Sequence, residues 1–103
     1  AATACCCSCS PGDNGTITVH ALIQSTNQQW AGALNYSLTQ QIQSGTYTIT
    51  GTSVPDTHSY EVGKYTFQNM SGGPSGHTWM GVTPKGPQQL PKCGNILFII
   101  LFD

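Results

Sequence analysis

The sequence has very little charge. Its 103 residues include three lysines, no arginine and four acidic residues, which give a formal net charge of -1. The three lysines, Lys64, Lys85 and Lys92, are scattered along the chain. Nucleic-acid surfaces and polybasic membrane anchors both need clustered basic side chains. The composition therefore argues against nucleic acid and against an anionic membrane surface as partners.

The sequence also lacks a long hydrophobic run and any sustained helical period. Its longest apolar run, Ile96–Phe102, has seven residues, whereas a transmembrane helix needs about 20. We therefore predict no membrane span. The chain begins at Ala1 with neither a basic nor an apolar signal region, which we interpret as a mature secreted chain whose signal peptide has been removed.

Uncharged polar residues are abundant instead. Ser, Thr, Asn and Gln together make up 36 residues. Amide and hydroxyl groups suit hydrogen bonding, and a surface with little charge does not repel copies of itself. The composition indicates a surface that contacts sugars or other subunits.

The ordered segments alternate apolar and polar residues with a period of two, as half-buried strands do. Ile17, Val19 and Ala21 form one such series, and Leu34 and Tyr36 belong to another. We predict an all-β fold, an antiparallel two-sheet sandwich of about seven strands. It occupies residues 16–103 and follows a flexible Cys-rich leader, residues 1–15.

The segment Glu61–Phe67 contains a Gly-x-Tyr-x-apolar pattern that resembles the signature of transthyretin-like sandwiches. That group includes collagen-adhesin B-type and carboxypeptidase regulatory-like domains. Gly15–Val19, Trp30–Leu38 and Thr83–Gly94 resemble the flanking strands of these domains in the same order. The resemblance implies a stalk, spacer or adhesive module of a cell surface or fibre. Some relatives carry a Lys–Asn isopeptide bond, but the first strand here has no lysine.

Five cysteines in a chain of this length favour an oxidising compartment. Four of them lie in the leader, and we expect the fifth to bond one of these four, closing a loop worth about 4.5 kcal/mol of stability in the chain-entropy model. An odd thiol remains to bond a neighbouring chain. Free leader thiols and a Zn or Cu(I) site are the alternatives. The disulfide candidates are Cys5, Cys6, Cys7, Cys9 and Cys93.

Three Asn-x-Ser/Thr sequons begin at Asn14, Asn35 and Asn69. Used sequons lie on the surface of secreted proteins, so we predict that all three asparagines are exposed. Asn35 is the outward member of an alternating strand, which suits a glycan.

Catalytic patterns are poor. The acidic residues fall mostly in turns or at the terminus, no Gly-x-Ser-x-Gly nucleophile elbow occurs, and the three histidines lie in separate segments. We predict no catalytic residue, no cofactor and no metal site. Aromatic residues offer a sugar-stacking platform as an alternative to core packing, and we favour the core for Tyr47, Tyr65 and Trp79.

The last predicted strand is apolar on both faces, although only one face of a strand meets the core of a two-sheet sandwich. Coverage by the chain's own loops would protect such a strand. We predict instead that it is an exposed edge and an assembly interface, formed by Ile96, Leu97, Phe98, Ile99, Ile100, Leu101 and Phe102.

These features together predict an extracellular structural subunit. Copies of the chain would self-assemble into a filament or surface layer through strand pairing and apolar contacts, reinforced by disulfides. The alternative is a carbohydrate- or host-binding adhesin module.

Overall fold

The structure is a computed structural model that describes residues 14–103. Strands make up 71% of it, and no helix occurs in this range. No helix there is long and apolar enough to cross a membrane. The strands are β1 (Gly15–Ile23), β2 (Gln28–Trp30), β3 (Gly32–Ile42), β4 (Gly45–Val54), β5 (Asp56–Tyr60), β6 (Gly63–Gly72), β7 (Trp79–Thr83), β8 (Gln88–Leu90) and β9 (Asn95–Phe102).

The strands form two sheets packed together, which confirms the predicted sandwich. Sheet I has the order β2-β1-β9-β7, with β5 also pairing with β1. Sheet II has the order β4-β3-β6-β8. The nine described strands exceed the predicted number of about seven because the short strands β2, β5 and β8 form in segments without a clear alternating pattern. Each of them is short and is held by its pairing with a longer strand, β1 or β6.

One pair departs from the antiparallel expectation. β1 and β9 run parallel, in continuous register from Thr16 opposite Asn95 to Ile23 opposite Phe102. Alternation reports which face of a strand is apolar but not which way the strand runs. The direction of β9 depends on the connections that precede it, so the sequence pattern did not reveal it.

The core lies between the inner faces of the two sheets. On β1 and β3 buried positions alternate with partly buried or exposed ones, as the sequence predicts. Burying a large aliphatic or aromatic side chain contributes about 1.5–3 kcal/mol. The buried core consists of Ile17, Val19, Ala21, Leu34, Tyr36, Leu38, Val54, Tyr65, Leu90, Ile96, Phe98, Ile100 and Phe102.

β9 is an interior strand, so the prediction of an exposed apolar edge at this strand is wrong. β1 pairs with its whole length on one side, and β7 pairs with Ile99–Phe102 on the other. Four of the seven predicted interface residues face the core and are almost fully buried, namely Ile96, Phe98, Ile100 and Phe102. A seven-residue apolar run fits an interior strand because neighbouring strands shield its backbone from solvent. Only Leu97, Ile99 and Leu101 remain outside the core.

Tyr65 secures the crossing from sheet I to sheet II. The chain leaves β5 at the edge of sheet I and enters β6 in sheet II. The Tyr65 hydroxyl donates to the backbone oxygen of Glu61 at 2.7 Å and accepts from Nε2 of Gln40 at 3.0 Å. This arrangement matches the tyrosine corner of β-sandwiches, in which a tyrosine hydroxyl bonds to backbone a few residues upstream.

Candidate functional site

The outer face of sheet I carries a row of apolar side chains. Leu22 of β1 lies opposite Leu101 of β9, and Ile99 and Leu97 follow along the same face of β9. Leu97 is 45% exposed, and the other three are partly exposed. We call Leu22, Leu97, Ile99 and Leu101 the apolar stripe.

The cross-strand neighbours of the apolar stripe include no acidic residue, lysine or arginine. Thr18 lies opposite Leu97, His20 opposite Ile99, and Thr83 of β7 beside Ile99. Gln29 of β2 is opposite Leu22. Charged side chains on an exposed sheet surface discourage association between copies. Among residues 14–103, no side chain of Lys, Arg, Asp or Glu pairs across the strands with the stripe.

The outer face of sheet II has a different chemistry. Side chains from β4, β3 and β6 meet there in three rows across the sheet. The only charge among them is a lysine at one corner. We call this surface the polar grid, formed by Thr46, Gln41 and Lys64 in the first row, Thr48, Thr39 and Thr66 in the second, and Thr50, Ser37 and Asn69 in the third.

A concavity of about 330 Å³ opens at the end of the polar grid. A shift in register between β3 and β4 occurs there, and another occurs between β3 and β6. Bulges bend the bulged strand and increase its local twist. The concavity is lined by Asn35, Tyr36, Ser37, Thr50, Gly51, Thr52, Asn69, Met70 and Ser71.

Two of the three sequons line this concavity on neighbouring strands. Asn35 of one lies opposite Ser71 of the other, and Asn69 lies opposite Ser37. Both asparagines are exposed, and so is Asn14, which directly precedes β1. The sequence showed three sequons but not that two of them share one surface. Their use as glycan sites stays a prediction.

A buried tyrosine, a carboxylate and a histidine meet at the rim of the sandwich. The Tyr36 hydroxyl donates to Oδ2 of Asp56 at 2.8 Å, and Nε2 of His58 lies 2.9 Å from Oδ1 of the same carboxylate. Burial raises the pKa of Tyr36 well above its usual range, and the hydrogen bond and negative charge of Asp56 raise it further. Tyr36 lies on β3 and Asp56 on β5, so this contact joins sheet II to sheet I.

Tyr60 extends the same cluster. Its ring lies 6.1 Å from that of His58 and 5.8 Å from that of Tyr65, measured between centroids. Burial, followed by the negative charge of Asp56, raises the pKa of Tyr60. Burial is also the main cause that raises the pKa of Tyr65. The tyrosines therefore remain neutral at physiological pH, and the contact of Tyr36 with Asp56 ties the short strand β5 to sheet II.

The histidines lie at separate positions. Besides His58 beside Asp56, Nδ1 of His20 lies 3.0 Å from the Gln29 amide nitrogen, and Nδ1 of His77 lies 3.0 Å from the backbone oxygen of Asp103. Within residues 14–103 no three side chains of His, Cys, Asp or Glu are grouped to hold a metal ion.

The predicted burial of the aromatic residues is correct for one of three. Tyr65 is fully buried, whereas Tyr47 is 47% and Trp79 38% exposed. Both exposed rings lie on edge strands, which have a neighbouring strand on one side only. The Trp79 ring nitrogen donates to the backbone oxygen of Gly81 at 2.8 Å, and its ring lies 6.4 Å from that of Phe67.

Cys93 lies in the turn before β9 and is disulfide-bonded. Its backbone nitrogen donates to the backbone oxygen of Asn14 at 3.1 Å, so this turn adjoins the start of β1. The other candidates, Cys5, Cys6, Cys7 and Cys9, lie outside the described residues. Their pairing stays a prediction.

No family model, no curated protein and no solved structure matches this chain. The transthyretin-like resemblance therefore stays a prediction.

Proposed function

We propose that this chain is an extracellular structural subunit that self-assembles into a filament or surface layer. The observation that carries the proposal is the apolar stripe. Leu97, Ile99 and Leu101 project from the middle of a sheet, on the side that does not meet the core. The proposal assigns no catalytic role to the chain.

Burial of the apolar stripe against another copy is the driving force in this proposal. Complete burial of a leucine or isoleucine side chain contributes about 1.5–3 kcal/mol before the costs of association. A subunit in a polymer makes each contact many times, so a modest contact suffices. The uncharged residues around the stripe impose little electrostatic repulsion between copies.

Disulfides reinforce the assembly in this proposal. Cys93 is disulfide-bonded and exposed beside the start of β1. The chain has five cysteines, so pairing within one chain leaves at least one over. We propose that a leader cysteine bonds a neighbouring subunit, which requires the oxidising conditions of secretion.

The test replaces one outward residue. Ile99→Lys should leave the monomer folded and abolish fibres, because each contact at the stripe would then bury an unpaired charge. The matched control is Thr39→Lys, which places a lysine on an interior strand of sheet II, outside the apolar stripe. Negative-stain microscopy and sedimentation velocity measure the outcome. Fibres of unchanged length in Ile99→Lys would contradict the proposal.

The concavity on sheet II favours a second function, a carbohydrate-binding module. Its lining is rich in hydroxyl and amide groups and has no charged side chain, which suits the hydroxyl groups of a neutral sugar. A glycan array with chain produced without glycosylation tests this function. Binding that is lost in Thr50→Lys but not in Thr83→Lys, on the other sheet, would support it. A chain that binds no glycan and forms fibres would exclude it as the main role.

A further inference from the structure

The edge strand β4 has a strand neighbour on one side only. Sheet II runs β4-β3-β6-β8, so the backbone of β4 on the side away from β3 has no strand partner among residues 14–103. β4 has ten residues. The other strands at sheet edges are much shorter, since β5 and β7 have five residues each and β2 and β8 have three.

β4 also lacks the features that protect an edge strand. Natural edges are kept from pairing by lysines, prolines, bulges or short length. Gly45–Val54 contains no charged residue and no proline. From Gly45 to Gly51 it pairs with β3 in an unbroken antiparallel register, and the register shift begins only beyond that point. Threonine, tyrosine and isoleucine, which favour strands, occupy five of these seven positions.

We propose that the free edge of β4 pairs with β4 of a second copy, antiparallel and related by a two-fold axis. The proposal rests on the proposed function of self-assembly and adds a second contact to the apolar stripe. Edge-to-edge pairing of this kind obtains its affinity from main-chain hydrogen bonds.

The length of the strands selects the partner. Pairing with β2, β5, β7 or β8 of another copy would leave half or more of the ten residues of β4 without a partner. Among the strands described, only another β4 combines a free edge with the same length. A two-fold axis gives both copies the same contact, as in most homodimers.

The geometry of such a pair restricts its register. A two-fold axis perpendicular to the sheet continues sheet II into eight strands and keeps the polar grids of both copies on one face. Residues directly opposite each other then point to the same side. We consider the three registers in which the axis passes at Thr48, at Ile49 or at Thr50, near the middle of the strand. In the first, Thr48 lies opposite Thr48 of the second copy. In the second, Thr48 lies opposite Thr50, and in the third, Thr50 lies opposite Thr50.

The test uses a pair of lysines on this edge. In Thr48→Lys/Thr50→Lys, every one of the three registers places a lysine opposite a lysine of the second copy. The matched control is Ser37→Lys/Thr39→Lys, which changes the residues opposite Thr50 and Thr48 on β3. Strands lie about 4.8 Å apart, so the β3 strands of two copies would be about 14 Å apart. That distance exceeds the screening length of about 8 Å at physiological salt.

The experiment is done in the Ile99→Lys background, which removes growth through the apolar stripe. Sedimentation velocity should show that Ile99→Lys alone forms a dimer. Adding Thr48→Lys/Thr50→Lys should weaken that dimer by about tenfold or more in Kd, and adding the β3 control should leave it unchanged. Hydrogen exchange should show β4 amides that are protected in the dimer and exchange in the monomer. A non-reducing gel excludes a disulfide-linked dimer.

The outcomes separate this inference from the proposed function. If Ile99→Lys has lost fibres and is a monomer, or if its dimer persists with both edge lysines, the pairing of β4 is overturned while the proposed function stands. If Ile99→Lys still forms fibres, the proposed role of the apolar stripe is wrong. If those fibres are then lost when Thr48→Lys/Thr50→Lys is added, the result supports β4 pairing. If the parent chain never associates, both proposals are wrong.

Discussion

The outer faces of the two sheets differ although the strands beneath them belong to one sandwich. The outer face of sheet I presents an apolar stripe of leucine and isoleucine, while the outer face of sheet II presents a grid of threonine, serine and amide side chains. Sheet II follows the usual division of an antiparallel sheet, with one face on the core and one in solvent. Sheet I does not, because β9 is apolar on both faces.

The proposed self-assembly rests on this contrast. A soluble monomer gains nothing from outward leucines at the centre of a sheet, whereas a subunit gains a contact surface. The polar grid has the opposite property, because its side chains are well solvated and carry almost no charge. The stripe is therefore the face we expect to be buried, and the grid the face we expect to remain in solvent.

The largest expected effect separates the two sides of β9. Ile100 is fully buried, so Ile100→Lys places an unpaired charge in the core and should cost more than about 5 kcal/mol, comparable to the whole stability of a small domain. Ile99→Lys should change stability by about 1 kcal/mol or less. Circular dichroism and thermal melting check this. Two variants that are equally stable would mean that β9 does not face the core as described.

A smaller effect is expected beneath the concavity of sheet II. A methyl group on Gly51 would overlap the Tyr36 ring, so Gly51→Ala should displace this ring and break its hydrogen bond to Asp56. We expect a loss of about 2–3 kcal/mol in the free energy of unfolding, measured by urea denaturation. The control, Ser53→Ala on the exposed part of β4, should cost about 0.5 kcal/mol or less. Equal losses would contradict the close packing of Tyr36 on Gly51.

Alkaline pH should weaken the link between the sheets. Burial raises the pKa of Tyr36 in the folded chain well above its usual range, which lies near 10. Above about pH 10 the unfolded chain loses this proton and the folded chain keeps it, so stability falls as pH rises. Tyr36→Phe should be less stable than the parent chain at pH 7. Between pH 10 and 11 it should lose less stability than the parent does, and the difference between the two losses should be at most about 1.4 kcal/mol. Denaturation at each pH measures both slopes, and parallel slopes would contradict the burial of Tyr36.

The smallest effect on stability concerns the sequons of sheet II. In a host that attaches N-glycans, Asn35→Gln and Asn69→Gln should each reduce the mass by one glycan and change stability by about 0.5 kcal/mol or less. Ser71→Ala is the matched control, since it should remove only the glycan of Asn69 although Ser71 lies opposite Asn35. Mass spectrometry measures occupancy. A fully glycosylated Asn14 beside unmodified Asn35 and Asn69 would show that the concavity is not a glycan surface.

Much of the fold was predictable because alternation is a local property. Ile17 and Val19 on β1, and Leu34 and Leu38 on β3, occupy the buried positions that the period of two assigns to them. The same reasoning failed for Tyr47 and Trp79. Both strands are edges, and the register of β7 also shifts between Trp79 and Gly81. Whether a strand is an edge depends on which strands lie beside it.

The candidate surfaces were less predictable for the same reason. The seven apolar residues of β9 indicated that one face must lie outside the core, but not that β9 is interior or that Leu97 and Ile99 are the outward ones. The sequence of β4 has the pattern of an ordinary strand, and nothing in it indicates that one side of the strand has no neighbour. The contact of Asp56 with Tyr36 joins residues 20 positions apart, and nothing in their spacing predicts it.

The sequence alone determined the all-β class, the alternation of buried and exposed residues, and a surface poor in charge, because composition and period are properties of the chain itself. Tertiary structure decided the parallel pairing of β1 with β9, the neighbours of β9 and β4, and the meeting of two sequons at one concavity. These depend on the order of strands in each sheet, which is set by contacts between residues far apart in the chain. A pattern with a period of two is the same for an edge strand and an interior strand, so only the assembled sheets distinguish them.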